Sequence, residues 1–489
     1  MALALLPRLP RGTWLAIAAI TLAGLALRIA AARGGLWMDE AWSMMFADQT
    51  RSWPAVFLYI NHDNNHHLNT LWMQLVGIGA PPLAVRALAI ASSSAAILVA
   101  ALLGARRGPS AAWTTALLFA VAEAMVTYGS EARGYAPMLL ALLALLLVVE
   151  RWLDRPDSPV PTRWILLWCA LGTLASLTML FGIVAVSGYA LIVLLRRGMR
   201  PPAAAAAAAR LLAPGIAAAA LIVAIIVGAA LASPTGFQIG NYTPFSLALF
   251  GEAMNAIVFT TLMPRLQPAW LVPAVIAALL LLVALRRPAW LGPRAPFYLL
   301  AIIAFPLSIA ALQMGNSVFL RYYLLTCAAL LLLVGELLAR GWDAGGWRRW
   351  LAAAALAGIA WSGLARDVDL IGNQRGDPAG PVRAMAALQP QGARVAIEYS
   401  RAEALLAVAA RERNYPLEIV RQRCPATRFL LVDRDPGKPG AAALTRCGRA
   451  FVARAAGRTT GLSGGDWTLY EQARLPSAAT PVSEPPPAP

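Results

Sequence analysis

Lysine is nearly absent from this 489-residue chain. Lys438 is the sole example among 41 basic residues, so the formal charge of +17 is carried by arginine. Charge of either sign is sparse: Asp, Glu, Lys and Arg make up 13% of the residues, about half the share of an ordinary soluble domain. That excludes both a soluble globular chain of usual composition and a charge-rich disordered one. Four cysteines exclude a disulfide-built scaffold. Cys169 and Cys327 lie in apolar runs, and Cys424 and Cys447 lie in a polar tail, where a disulfide and two free thiols are both open. Histidine is scarce as well. The chain has three, His62, His66 and His67, all inside six positions.

Apolar residues fill the space left by charge. They reach 59% of the chain, with a mean hydropathy of +0.62. Runs near the ~20 residues that cross a bilayer recur at 12–32, 83–105, 110–128, 135–151, 163–177, 180–195, 206–232, 268–285, 297–313, 320–338 and 350–366. The composition therefore predicts an all-α polytopic membrane protein with about 11 transmembrane helices. Arginine clusters at 106–107, 151–163, 196–200, 286–294 and 340–349 alternate along the chain with loops holding single arginines. By the positive-inside rule the clusters face the cytoplasm, and 34–82, 129–134, 233–267, 314–319 and everything after 367 face outward. Short arginine clusters between apolar runs set topology. They do not form a basic groove, so nucleic acid is excluded as a partner. The opening "MALALLPRLPRGTW" reads as a retained first helix.

Residues 1–369 form the expected membrane domain. In its first outer loop, "SWPAVFLYI" and "LNTLWMQLVGIGA" predict helices lying at the interface. The outer loop 233–267 has a similar character and is expected to help cover a site. Residues 370–475 change composition. "GARVAIEYS" and "TRFLLVDRD" read as strands and "RAEALLAVAARERN" as a helix, giving a small C-terminal extracytoplasmic α/β domain. The Pro-rich tail 476–489 reads as disordered.

Chemistry-bearing residues gather on the outward side. "GGLWMDEAWS" places Asp39 and Glu40 side by side past the first span. One acid can take a proton from an acceptor hydroxyl. A solvated helix end is the plain alternative. "NHDNNHHLN" follows, with His62, Asp63, Asn65, His66 and His67. His62, Asp63 and His66 form a candidate divalent-metal set; hydrogen bonding to a phosphate or sugar is the other use. "YGSEARGYAP" brings Glu131, Arg133 and Tyr135 to the outer mouth of two spans, and "FLRYYLL" brings Arg321 and Tyr322. A guanidinium fork suits a phosphate oxyanion. A structural Glu–Arg pair and headgroup anchoring are the plainer uses. Acids, histidines and isolated arginines beside apolar spans are what a lipid phosphate with a polar headgroup requires.

In these motifs the chain resembles the family 39-type, or C-fold, glycosyltransferases, which include the protein O-mannosyltransferases and the enzymes that move aminoarabinose onto lipid A. The resemblance spans roughly residues 12–366 and rests on the acidic pair after the first span, the Asn/His-rich outer loop, "EARGY" and "RYY". It implies sugar transfer from a polyprenyl-phosphate-linked donor to a lipid, glycan or protein acceptor, at the outer face of a bacterial cytoplasmic membrane. It implies Asp39 as the catalytic aspartate, a base or orienting group, with Glu40 its companion, and Arg133 as the donor-phosphate ligand. Where many relatives carry a His-Pro-Pro type motif, this chain has "DNNHHLN", which leaves the sugar and the acceptor unassigned. The rival from another class is a lipid or sugar flippase. That rival calls for ionisable groups near mid-membrane and inverted repeats, neither of which stands out.

Overall fold

Proline marks where several helices begin. Pro82, Pro109 and Pro201 occupy first-turn positions, where the missing N–H has no partner to lose and φ is already helical. The computed structural model describes residues 9–50, 52–240, 242–263, 271–286, 290–421, 426–434, 437–438, 440–457 and 466–473. Among them, seven helices are long and apolar enough to cross a membrane: Arg11–Ala31, Pro82–Ala105, Tyr135–Asp154, Met179–Arg196, Pro201–Ala232, Leu320–Asp343 and Gly346–Asn373. An eighth crossing is the pair Pro109–Val121 and Glu123–Gly129, bent by 61°.

The expectation of about eleven transmembrane helices is thereby corrected to seven, or eight with the bent pair. Three expected spans are shorter apolar helices, Thr162–Ala175, Leu271–Arg286 and Ala295–Ala311. At ~1.5 Å per residue such helices reach about 21–26 Å, short of the ~30 Å hydrocarbon layer. Hydropathy sees the apolar run and not the break within it. Ala295–Ala311, for example, is interrupted by a π-helical turn at Leu300–Ala304. The Thr326 hydroxyl donates to the Ala301 carbonyl in that turn at 2.8 Å.

The 61° bend needs an explanation, because Ala122 at the break is neither Pro nor Gly. Arg28 supplies it. Its guanidinium donates to the carbonyls of Phe119 and Ala120 at 2.9 and 3.1 Å, and to the Ser93 hydroxyl at 2.6 Å. A side chain inserted among backbone carbonyls is one of the few causes of a sharp kink. The buried arginine thus compensates the break that aims Glu123–Gly129 toward the Ser130–Gly134 turn.

A second buried network ties the other ends of the spans. Arg294, fully buried, donates to Glu150 at 2.9 Å, to Glu336, and to the Leu103 carbonyl at 3.0 Å. Arg106 reaches Glu150 at 2.7 Å and Asp154 at 2.9 Å. Removing one partner of a buried charge network costs about 3–5 kcal/mol. Arg294→Met is therefore expected to lower the midpoint of unfolding in a detergent titration sharply. An unchanged midpoint would show these carboxylates to be solvated.

The chain forms two compact units, one of residues 1–33 and 46–372 and one of residues 34–45 and 373–489. In the second, a six-stranded sheet has the order β2-β1-β3-β6-β5-β4. Its strands are β1 (Ala393–Ile397), β2 (Leu417–Val420), β3 (Phe429–Arg434), β4 (Ala443–Arg446), β5 (Arg449–Gly457) and β6 (Asp466–Gln472). β1 pairs in parallel with β2 and β3, and the remaining pairings are antiparallel. The helix Arg401–Glu412 makes the crossover that a parallel β1–β2 pair requires. Its Leu406 and Ala409 pack with Val382, Val395, Phe429 and Leu469. Cys447 is disulfide-bonded, Cys169 and Cys327 are free, and Cys424 and the tail 476–489 lie outside the described residues.

Candidate functional site

Asp39 and Glu40 sit in the first turn of the helix Met38–Gln49, in the part of the chain that belongs to the second unit. Glu40 Oε2 accepts from the Trp37 backbone N–H at 3.1 Å, so the third helical residue satisfies the cap position, as in a capping box. Negative charge in a first turn also suits the helix dipole. The two acids therefore differ locally: Glu40 is fully buried and caps the helix, and Asp39 is partly exposed.

The remaining candidates belong to the first unit. Two helices do form between the first two spans, Trp53–Leu58 and His67–Val76. Asn65 ties that loop together. Its amide donates to the carbonyls of Val56 and Ile60 at 2.9 and 3.0 Å, and its oxygen accepts from Thr70 at 2.9 Å. His67 stacks on Phe57 with ring centroids 5.0 Å apart. Burial holds its pKa down at about 4. An unfolded histidine protonates near pH 6.5, so between about pH 6.5 and 4 the unfolded state binds a proton that the folded state refuses. Stability falls through that window by about 1.4 kcal/mol per pH unit at this residue. His67→Gln is expected to flatten the acid side of the stability profile in detergent, and an unchanged slope would count against a neutral His67.

His66 and Arg133 stand closer together. His66 Nδ1 lies 2.9 Å from the Ala175 carbonyl, and its ring meets Tyr135 edge-on at 4.7 Å. Burial, then the charge of Arg133, holds the His66 pKa well below the ordinary histidine value. Arg133 is 3% exposed. It donates to the Asn64 side-chain oxygen and to the Tyr135 hydroxyl at 3.3 Å. Asn69 donates to the Ala132 carbonyl at 2.7 Å. Glu131 in the same turn is also buried. Gly134 is dictated by a close approach, since a Cβ there would lie 1.6 Å from the Ala175 carbonyl oxygen.

Asp63 faces outward from this cluster. It lies 2.8 Å from His62 Nδ1 and accepts from the Gly240 N–H at 3.1 Å. Burial pushes its carboxyl up, but hydrogen bonds from His62 and Gly240, with the charges of His62 and Arg321, outweigh that and hold it below the usual range. Backbone bonds between Asp63 and Gln238 at 2.9 Å, and Gln238 and Asn61 at 2.8 Å, strap residues 233–240 to the first loop. Further on, Thr243 and Asn316 bond twice at 2.7 Å. Arg321 lies in the short turn Leu320–Tyr323, over the rings of Phe319 and Tyr322 at 4.3 and 5.6 Å.

His66, Arg133 and Tyr135 are thus brought together, with Asn64 and Asn69 added, while Asp63 is held apart by His62 and the Gly240 N–H. The sequence reading passed over both asparagines. Their sole signal was their place in the same Asn/His-rich run. Among the described residues no three His, Cys, Asp or Glu side chains converge as a metal set. An apolar groove of about 380 Å³ lies among the helices of the first unit, lined by Phe250, Met254, Ile302, Pro306, Thr326 and Leu330 among others. Thr326 and Leu330 follow Arg321 along the helix Leu324–Asp343, so the groove wall lies within a few turns of that arginine.

No protein-family model matches the chain, and no curated protein matches its sequence. Its fold is similar to that of solved structures. ArnT from Cupriavidus metallidurans in the apo state superposes with a TM-score of 0.56 at 14% identity, over 93% of this chain and 97% of that one. The same ArnT bound to undecaprenyl phosphate gives 0.50 at 14% identity, over 94% and 98%. The Archaeoglobus fulgidus oligosaccharyltransferase AglB, in complex with an inhibitory peptide and a dolichol-phosphate, gives a weaker 0.48 at 13% identity, over 86% and 69%. At these identities the likeness is one of fold.

Proposed function

We propose that this multi-pass membrane protein transfers a sugar from a polyprenyl-phosphate donor to a lipid, glycan or protein acceptor at the outer face of a bacterial cytoplasmic membrane. The observation that carries this is Arg133, buried in a polar cluster with Asn64 and Tyr135, in a unit that also holds Arg321 and an apolar groove. A buried guanidinium takes a phosphate well, and the groove suits a prenyl tail. The fold it shares with an ArnT solved with undecaprenyl phosphate supports the same choice.

In the proposed reaction the acceptor oxygen attacks the anomeric carbon and the bond from that carbon to the phosphate oxygen breaks. The electron pair leaves with the polyprenyl phosphate. Arg133, aided by Arg321, meets the charge growing on that leaving group, an interaction worth more in the transition state than in the ground state. For a hydroxyl acceptor Asp39 takes the proton; for a phosphate acceptor it orients and no proton moves. Glu131 and Tyr135 position Arg133. No step is routed through a metal. If His62, Asp63 and His66 hold a divalent ion, chelation will abolish transfer and one ion will restore it; transfer that survives exhaustive chelation leaves those side chains as hydrogen-bonding groups.

The strap at 233–240 is assigned the closing of the site, which would keep water from the activated sugar. Limited proteolysis checks this. Undecaprenyl phosphate is expected to slow cleavage within 233–246, and Asp63→Ala to speed it. Cleavage unchanged at saturating lipid would make the strap passive. Binding of undecaprenyl phosphate by purified protein tests the function itself, together with sugar transfer from its glycosylated form.

A further inference from the structure

His66 Nδ1 faces a carbonyl, and a carbonyl can only accept. Nδ1 therefore carries the proton. With the ring neutral, Nε2 is a lone-pair acceptor. That atom is buried and has no hydrogen-bond partner. Three residues further on, Asn69 repeats the pattern. Its amide nitrogen donates to the Ala132 carbonyl at 2.7 Å, which fixes the orientation of the amide. Its Oδ1 is buried without a partner as well, and Asn69 is 0% exposed. His66 is the N-cap of the helix His67–Val76, and Asn69 lies in the first turn of that helix. Both side chains contact the turn that carries Arg133: Asn69 through the Ala132 carbonyl and His66 through the Tyr135 ring. A native fold rarely leaves buried polar atoms unsatisfied without a reason.

We infer that His66 Nε2 and Asn69 Oδ1 are a sugar-hydroxyl subsite: two neutral acceptors that take hydrogen bonds from hydroxyl groups of the transferred sugar. The assignment rests on the proposed use of Arg133 for the donor phosphate and divides the labour beside it. Arg133 offers donors and charge, and suits the phosphate. The two acceptors repel an anionic oxygen and reward O–H groups, so they read the sugar and not the lipid phosphate. His66 acts here as a positioning and specificity residue. With its pKa held so low by burial and by Arg133, it makes a poor proton acceptor.

The test compares the full-length protein's affinity for undecaprenyl phosphate with its affinity for undecaprenyl phosphate bearing glucose, mannose, galactose or arabinose. At least one sugar is expected to tighten binding. His66→Phe and Asn69→Leu should each remove about five- to tenfold of that gain and leave the bare lipid phosphate bound as before. His66→Gln, which keeps an acceptor near the Nε2 position, should retain much of it. The inference is overturned if no sugar adds affinity, if both variants keep the full gain (as they would if bound water satisfies these atoms), or if both lipids weaken together, which would make the residues scaffold. A wild-type protein that binds neither lipid overturns the donor-phosphate reading instead. An independent readout comes from protein labelled with ¹⁵N at its three histidines. His66, identified by its loss in His66→Gln, should show the neutral Nδ1–H form at pH 7. A doubly protonated ring there would remove the acceptor and the subsite with it.

Discussion

Asp39→Asn is expected to slow single-turnover sugar transfer by about 10²–10⁴-fold, the usual loss when a general base is removed, while polyprenyl-phosphate binding stays nearly unchanged. The substitution keeps shape and removes charge, and the partner assigned to Asp39 is the acceptor in the transition state. Glu40→Gln makes the contrast. Its oxygen can still accept from Trp37, the contact that caps the helix, so a far smaller loss is expected. A folded Asp39→Asn protein that transfers sugar at the wild-type rate removes Asp39 from the chemistry. Equal losses for the two variants, with equal losses of stability, would make the pair a capping device.

Arg133→Ala is expected to behave differently, weakening donor binding as well as turnover, because phosphate is present before and after transfer. Loss of hydrogen bonds to a charged group costs about 1.5–3 kcal/mol, or about 10–150-fold in donor affinity. Removing a group aimed at developing charge costs about 10²–10³-fold in rate. Arg133→Lys should recover part of both, since a point charge cannot reproduce the planar fork. Asn64 and Tyr135 lose a partner in either variant, so the melting temperature in detergent must be measured alongside. Normal donor binding by a folded Arg133→Ala protein would move the phosphate site to Arg321.

The membrane character and the polar segments between the spans were legible because they depend on composition and spacing. So was part of the parallel half of the sheet: β1, the helix after it and β3 follow directly from "GARVAIEYS", "RAEALLAVAARERN" and "TRFLLVDRD", whereas the edge strand β2 was not read. The span count was not legible. Thr162–Ala175 and the π-interrupted Ala295–Ala311 are apolar enough but too short, and helix length is decided by tertiary packing. Arg28 was hidden for a related reason. Nothing in a sequence shows that an arginine inside an apolar run will meet carbonyls released by a kink some 90 residues later. At the candidate site, residue type singled out the polar runs, but the contacts among them followed from the fold. Asn65 turned out to be tied to its own loop, and Asn64 and Asn69 took places beside Arg133 that nothing but folding could assign.

The most direct measurement uses proteoliposomes holding the purified protein, a labelled undecaprenyl-phosphate sugar and a fraction of envelope acceptors, with products followed by mass spectrometry. Sugar transfer predicts labelled acceptor and free undecaprenyl phosphate appearing together in equal amounts, both lost in Asp39→Asn and Arg133→Ala. Intact lipid-linked sugar crossing the bilayer, with its sugar–phosphate bond unbroken and no labelled acceptor formed, would contradict a transferase and identify a flippase.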